Sequence, residues 1–177
     1  MKNSILFLFC LTTFVSFAQE IKQLKLTPLG VEPMVIEIEG IKASDTYQKA
    51  LNWVKETYKT PDKVLKAQIE NKKIRIDGFA RNAWWNKSMG LKNSYNMDYT
   101  IEISFKDGKY RFGFIIGEFS IDTGQKTAFG YSTFFKKSGE VRKAYKDAVP
   151  SLENTMNSLA NSFYNYIAGN DDGDDGW

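Results

Sequence analysis

The stretch YTIEISFKDGKYRFGFII, running from Tyr99 to Ile116, decides the fold. In its first half Tyr99, Ile101, Ile103 and Phe105 alternate with Thr100, Glu102 and Ser104; in its second, Tyr110, Phe112, Phe114 and Ile116 alternate with Arg111 and Gly113. A period of two belongs to strands with one face buried and the other wet. Between the halves stands Asp107-Gly108, a dipeptide suited to a two-residue hairpin turn whose positions take positive φ. Gly113 and Gly117 fall four apart on the wet face, where a missing side chain permits curvature or close approach.

Upstream, Leu65, Ala67 and Ile69 alternate with Lys66, Gln68 and Glu70, and Ile74, Ile76 and Ala80 alternate with Arg75, Asp77 and Arg81. Asn71-Lys72 joins the two runs as a turn, so they read as a second hairpin. Before it, Tyr47, Ala50, Leu51, Val54 and Tyr58 recur at helical spacing. Ser44 is expected to cap that helix, with Asp45 in its first turn and Pro61 stopping it. Met34, Ile36 and Ile38 alternate with Val35, Glu37 and Glu39 as one more strand, closed by Gly40. Asn82 to Ser94 shows no regular period. Downstream, residues 128–135 read as a strand or a covering loop, and Val141 to Ala148 as a short helix before Pro150. Leu152, Met156, Leu159, Phe163, Tyr166 and Ile167 mark one face of a longer final helix.

The order is therefore strand, helix, four strands in hairpins, helix. One curved antiparallel sheet with helices packed on one face satisfies it, an α+β class. Ile38-Glu39-Gly40-Ile41 leading into Ser44-Asp45, Tyr47-Gln48-Lys49-Ala50 and Trp53, followed by Tyr99-Thr100-Ile101-Glu102-Ile103 and Lys106-Asp107-Gly108-Lys109-Tyr110-Arg111-Phe112, resemble a family of exported bacterial domains of unknown function with a TATA-binding-protein-like (TBP-like) fold. The resemblance spans roughly residues 33–122 and, more loosely, the final helix. It implies a fold and an export context. It brings no catalytic residue, and the fold's name implies no nucleic-acid binding, because function lives in sites and not in folds.

Both ends of the chain read differently from its middle. Lys2, an apolar run from Ser4 to Ala18, and Ser16 and Ala18 two apart form the three parts of a signal peptide. The run is shorter than the roughly 20 residues of a spanning helix, so cleavage after Ala18 is expected, with an N-terminal extension over 19–32 before the domain at 33–168. Cys10 is the only cysteine. Leu8 and Phe9 precede it where a lipid-modified cysteine needs small residues, and after cleavage no thiol remains. The expected location is periplasmic or extracellular, and no later segment is apolar enough to span a membrane. Asp171, Asp172, Asp174 and Asp175 with Gly173 and Gly176 make an acidic tail over 169–177, expected to be disordered. With a formal charge of +3 for the whole chain, the balance argues for neither nucleic acid nor an anionic membrane as partner.

Absence narrows the chemistry. The chain has no histidine, which removes Ser-His-acid triads, Cys-His pairs and metal sites built on imidazole or thiolate. No metal and no cofactor is predicted, and the domain is expected to be no enzyme. The remaining catalytic candidates are the carboxylates Glu37, Glu39, Asp77, Glu102 and Glu118, since a pair at the right separation hydrolyses glycosides. On an antiparallel sheet such groups are more often the solvated side. In the tail, Asn170, Asp172 and Asp174 imitate a calcium loop, but Asp175 occupies the position that needs glycine. Arg111-Phe112-Gly113-Phe114-Ile115 imitates an RNA-recognition strand, with Arg where glycine belongs and its aromatics on the core-facing set.

The best binding candidate is Arg81-Asn82-Ala83-Trp84-Trp85-Asn86-Lys87. Adjacent tryptophans cannot both point inward on a strand, and Trp beside Arg is the composition of binding hot spots. Trp84, Trp85, Arg81 and Lys87 are therefore the candidate ligand-binding residues. The alternative places one indole at the sheet edge and the other under the following loop. Asn154, Asn157, Asn161 and Asn165 stripe the last helix, either as a solvated face or as a partner surface. The sequence thus predicts a non-catalytic domain that binds a ligand or protein partner in the cell envelope. The alternatives are a structural or assembly component of the envelope without a small ligand, and third a carboxylate-based hydrolase.

Overall fold

The computed structural model describes residues 22–170; the predicted signal segment and most of the acidic tail lie outside the described residues. Five strands form one antiparallel sheet: β3 (Met34–Glu37), β4 (Leu65–Ile69), β5 (Lys73–Ser88), β6 (Leu91–Lys106) and β7 (Lys109–Ser120), in the order β3-β7-β6-β5-β4. A small hairpin, β1 (Leu26–Thr27) with β2 (Gly30–Val31), precedes them. Helices α1 (Ala43–Thr57) and α3 (Ala148–Ala168) pack together on one face of the sheet, and α2 (Pro61–Val64) is a single turn. The α+β order predicted from the sequence is the order of the molecule.

The deciding stretch pairs as read, with Ile103 opposite Phe112 and Lys106 opposite Lys109. Only Gly108 of the turn takes a positive φ, of 73°. Asp107 instead reaches out of the turn. Its carboxylate accepts a hydrogen bond from the Ala43 N–H at 2.9 Å, at the start of α1. The N-cap residue there is Lys42, which makes no side-chain cap, so the expected Ser44 cap is replaced by one from 64 residues away in sequence. The turn is further fastened by Gly108 N–H to Ile41 O at 2.9 Å and Ile38 N–H to Gly108 O at 2.8 Å. Pro61 does not stop α1, which ends at Thr57; it opens α2, where its missing N–H costs nothing.

The helices cover a core of Ile74, Ile76, Ile101, Ile103, Tyr110 and Phe112 from the sheet. Trp53 of α1 lies edge-on to Phe163 of α3 with centroids 5.1 Å apart, and its Nε1–H donates to Ser162 Oγ at 3.1 Å. Phe163 in turn meets Tyr110 edge-on at 5.0 Å. Tyr99 lies across Gly78, its cross-strand neighbour; a Cβ there would stand 2.3 Å from the ring. That space lets the Tyr99 hydroxyl reach the Tyr58 hydroxyl at 3.0 Å.

The segment set apart as an N-terminal extension joins the core from Leu24 onward. Leu24 and Leu26 are buried. Asn157 accepts from the Leu24 N–H at 2.7 Å and donates to its carbonyl at 3.1 Å. Glu153 accepts from the Leu26 N–H at 2.9 Å. One member of the asparagine stripe is thereby occupied inside the molecule and offers nothing to an outside partner.

The aperiodic stretch from Asn82 to Ser94 is strand after all. Asn82 takes a φ of 50° and shifts the register between Ala80 and Trp84, a bulge that breaks the alternation a sequence reading relies on. Asn96 holds the bulge, accepting from the Asn82 N–H at 2.9 Å. Beyond it the strands run as a two-stranded arm to a turn at Met89-Gly90. Residues 128–135 are a covering loop containing the turn Tyr131–Phe134. The helix expected over 141–148 shrinks to Lys143–Tyr145, and Pro150 sits in the first turn of α3.

Candidate functional site

The structure separates the tryptophan pair. Trp84 is fully buried, stacked on Tyr95 with centroids 4.1 Å apart and packed against Phe134 at 4.8 Å and Phe119 at 5.0 Å. As a ligand-contacting residue it is corrected: it is the centre of a second aromatic core, because strand alternation turns it under the 128–135 loop. Trp85 points the other way and is half-buried. Its backbone N–H donates to Ser151 Oγ at 3.1 Å, which ties the arm to α3. The Trp85 ring has the Lys92 ammonium 4.9 Å from its centroid and that of Lys87 at 5.9 Å, within cation–π range. Arg81 is exposed on the far side of the bulge from Trp85. Of the four predicted residues, Trp85 and Lys87 therefore come together, Trp84 and Arg81 do not join them, and Lys92 is the member that was missed. Its signal was the register: Lys87 stands opposite Lys92, but only the position of the turn reveals that.

A second surface is the sheet face away from the helices. Alternation places Lys73, Arg75, Asp77, Glu102, Ser104 and Arg111 there, since their strand neighbours are the buried set. Four of the large exposed apolar residues, Val35, Ile69, Phe79 and Ile115, share this face. Of its carboxylates, Glu102 and Asp77 are engaged, whereas Glu37, on the same face of β3 as Val35, forms no ion pair among the described residues. Lys73 pairs with Glu102 at 2.8 Å, and Asp77 accepts from Thr100 at 2.8 Å and from Arg75 at 3.3 Å. Glu118, toward the end of β7, pairs with Lys126, whose ammonium that hydrogen bond holds above its ordinary pKa. Glu39 lies beyond the end of β3 in a turn, so Glu37 and Glu39 are not the side-by-side pair expected of one strand.

Two depressions meet on this face at the cross-strand pair Ser104 and Arg111. One, of about 260 Å³, lies between the β1–β2 hairpin and the sheet, walled by Val31 and Pro33 and lined by Lys73, Glu102 and Ile115. Gly113 floors it; a Cβ there would stand 3.5 Å from Glu102 O and 3.8 Å from Pro33, ordinary contact that would fill the groove. The other, of about 740 Å³, is bordered by Val35, Lys72, Lys106 and Lys109. Among the described residues Arg111 forms no ion pair, and no group of three or more His, Cys, Asp or Glu is placed to hold a metal. No described helix is long and apolar enough to cross a membrane.

The architecture defines the chain as an α+β domain of TBP-like fold. Residues 34–115 match the family model of a domain of unknown function with TBP-like fold, DUF4468, the family that the sequence motifs resemble. A crystal structure of a DUF4468 family protein from Bacteroides ovatus superposes with a TM-score of 0.54 at 15% identity, over 78% of this chain and 84% of that one. A TBP-like protein from Parabacteroides distasonis gives 0.58 at 13% identity, over 77% and 90%. Likeness at this identity speaks to fold alone. No curated protein matches the chain.

Proposed function

We propose that this is an exported, non-catalytic binding domain of the cell envelope whose open sheet face receives an acidic ligand. The observation that carries the reading is the junction of the two depressions at Ser104 and Arg111. There a guanidinium with no ion-pair partner among the described residues stands among Lys72, Lys106 and Lys109, beside a groove kept open by Gly113. A guanidinium fork matches a carboxylate or phosphate in two parallel hydrogen bonds, and exposed apolar neighbours such as Ile115 and Val35 would cover the ligand's apolar parts. Glu102, the carboxylate that lines the groove, is held by Lys73, which supports binding over acid–base chemistry at that point. Export rests on the signal-like segment 1–18.

Melting temperature of residues 19–177, measured against acidic glycans, peptidoglycan fragments, fatty acids and acidic peptides, tests this reading. A ligand at about 100 times its Kd adds roughly 2.7 kcal/mol, a rise on the order of 5–10 °C for a domain of this size. Arg111→Ala and Gly113→Val are each expected to remove that rise while leaving the unliganded melting temperature nearly unchanged. A rise indifferent to both substitutions puts the site elsewhere. No rise across the whole panel would favour the structural envelope role over ligand binding.

A further inference from the structure

The arm formed by β5 and β6 outruns the rest of the sheet. β4 pairs with β5 no further than Leu65 opposite Ile76, and β7 leaves β6 at Ser120 opposite Asn96. Trp84–Ser88 and Leu91–Tyr95 therefore pair only with each other. A two-stranded ribbon is marginal in water. This one is stapled at its root by the Trp84–Tyr95 stack and the Ser151 bond to Trp85, and its distal part projects beyond the sheet.

The tip carries residues that a solvated turn has no use for. Met89 is 99% exposed and Leu91 70%. Met89 also takes a φ of 51°, a conformation suited to Asn, Asp or Gly and costly for a longer side chain. Behind this apolar tip stand Lys87 and Lys92, facing each other across the ribbon with Trp85 beneath their ammonium groups. From Arg81 through Met97 the sequence contains Arg81, Lys87 and Lys92 and no acidic residue.

We propose that the arm's tip docks on an anionic bilayer surface. Met89 and Leu91 enter the boundary between headgroups and acyl chains, Lys87 and Lys92 next behind them meet lipid phosphates, and Trp85 backs the two ammonium groups. From the tip inward the arm carries apolar side chains first and then Lys87 and Lys92, whose stems lie along apolar surface and whose ammonium groups reach back over Trp85, two rungs nearer the sheet. Both apolar residues stand free at the end of a ribbon that carries cations and no carboxylate, a pattern that suits an anionic surface. With only two such side chains the docking is weak and reversible, and it depends on the anionic lipid.

Co-sedimentation of the chain lacking residues 1–18 with vesicles tests this; every core residue named above lies within 22–170, and removing the apolar leader removes its own membrane affinity. The protein is expected to pellet with phosphatidylcholine vesicles containing phosphatidylglycerol and to stay in solution with phosphatidylcholine alone. Met89→Asn with Leu91→Asn is expected to weaken binding about tenfold or more, and Lys87→Gln with Lys92→Gln to remove the dependence on anionic lipid. Met89→Asn alone should raise the melting temperature, since Asn suits the turn, so its loss of binding cannot be ascribed to unfolding. Equal pelleting of wild type and the Met89/Leu91 double variant would overturn the proposal. So would failure of the wild type to pellet with the anionic vesicles, or self-association in their absence that Met89→Asn abolishes, which would make the tip a protein contact.

Discussion

At the scale of single residues, the start of α1 shows how far a cap can lie from the helix it serves. The first N–H groups of a helix have no partner within it, and Ser44-Asp45 is the local sequence that promises one. Instead Ser44 Oγ turns to the Asp45 carboxylate at 3.1 Å, and Asp107 of the β6–β7 turn takes the Ala43 N–H. The same aspartate thus shapes a hairpin turn and fastens it to a helix. Asp107→Ala is expected to cost about 1 kcal/mol, read as a melting temperature lower by about 2–4 °C, while Asp107→Asn keeps an acceptor and most of the stability. Ser44→Ala should lie within about 0.5 kcal/mol of wild type. Denaturant titration of the three variants distinguishes the two caps, and a costly Ser44→Ala would restore the local one.

At the scale of elements, what a sequence reveals depends on whether its signal is local. Residues 99–116 were legible because each strand has one buried face and a register that holds through the hairpin, so polarity alternates along both. Residues 82–94 were not, although they are equally strand. Asn82 inserts a bulge that resets the phase, and Met89 occupies a turn position where Asn or Gly would have announced the hairpin. The candidate site suffered accordingly. The adjacency of Trp84 and Trp85 shows that they face opposite ways, but which indole is the outward one depends on the bulge and on Phe134, far along the chain. The basic groove on the open face was illegible for a related reason: Lys72, Lys106 and Arg111 converge only once β5, β6 and β7 are in register. Trp84→Ala empties the centre of an aromatic cluster and is expected to destabilise by about 3–5 kcal/mol, whereas Trp85→Ala should cost no more than about 1 kcal/mol. Equal losses in guanidinium melts would mean that both indoles are core.

At the scale of the whole molecule, the fold rests on two aromatic clusters joined by one sheet, Trp53 with Phe163 under the helices and Trp84 with Phe134 under the covering loop. Asn157 and Glu153 draw the N-terminal segment onto α3, so the domain closes on itself from Leu24 onward. Its response to pH should be as distinctive as its composition. With no histidine in the chain, no side chain of ordinary pKa titrates between about pH 5 and 8, and stability should be flat through neutrality. The alkaline side differs. Burial pushes the hydroxyls of Tyr58, Tyr99 and Tyr110 above the usual tyrosine range, and for Tyr58 the neighbouring Tyr99 adds to it. In the unfolded chain these groups lose their protons near about pH 10, while the folded state still holds them. Above that pH the unfolded state binds fewer protons than the native one, so stability must fall as pH rises. The contribution is complete below about pH 10 and drains away beyond it. Melting temperature followed upward from about pH 8 should therefore hold level and then drop, more gently in Tyr110→Phe, where one of the three retained protons is gone. A curve for Tyr110→Phe as steep as that of wild type would mean that the Tyr110 hydroxyl reaches water in the native state and that this part of the core is open.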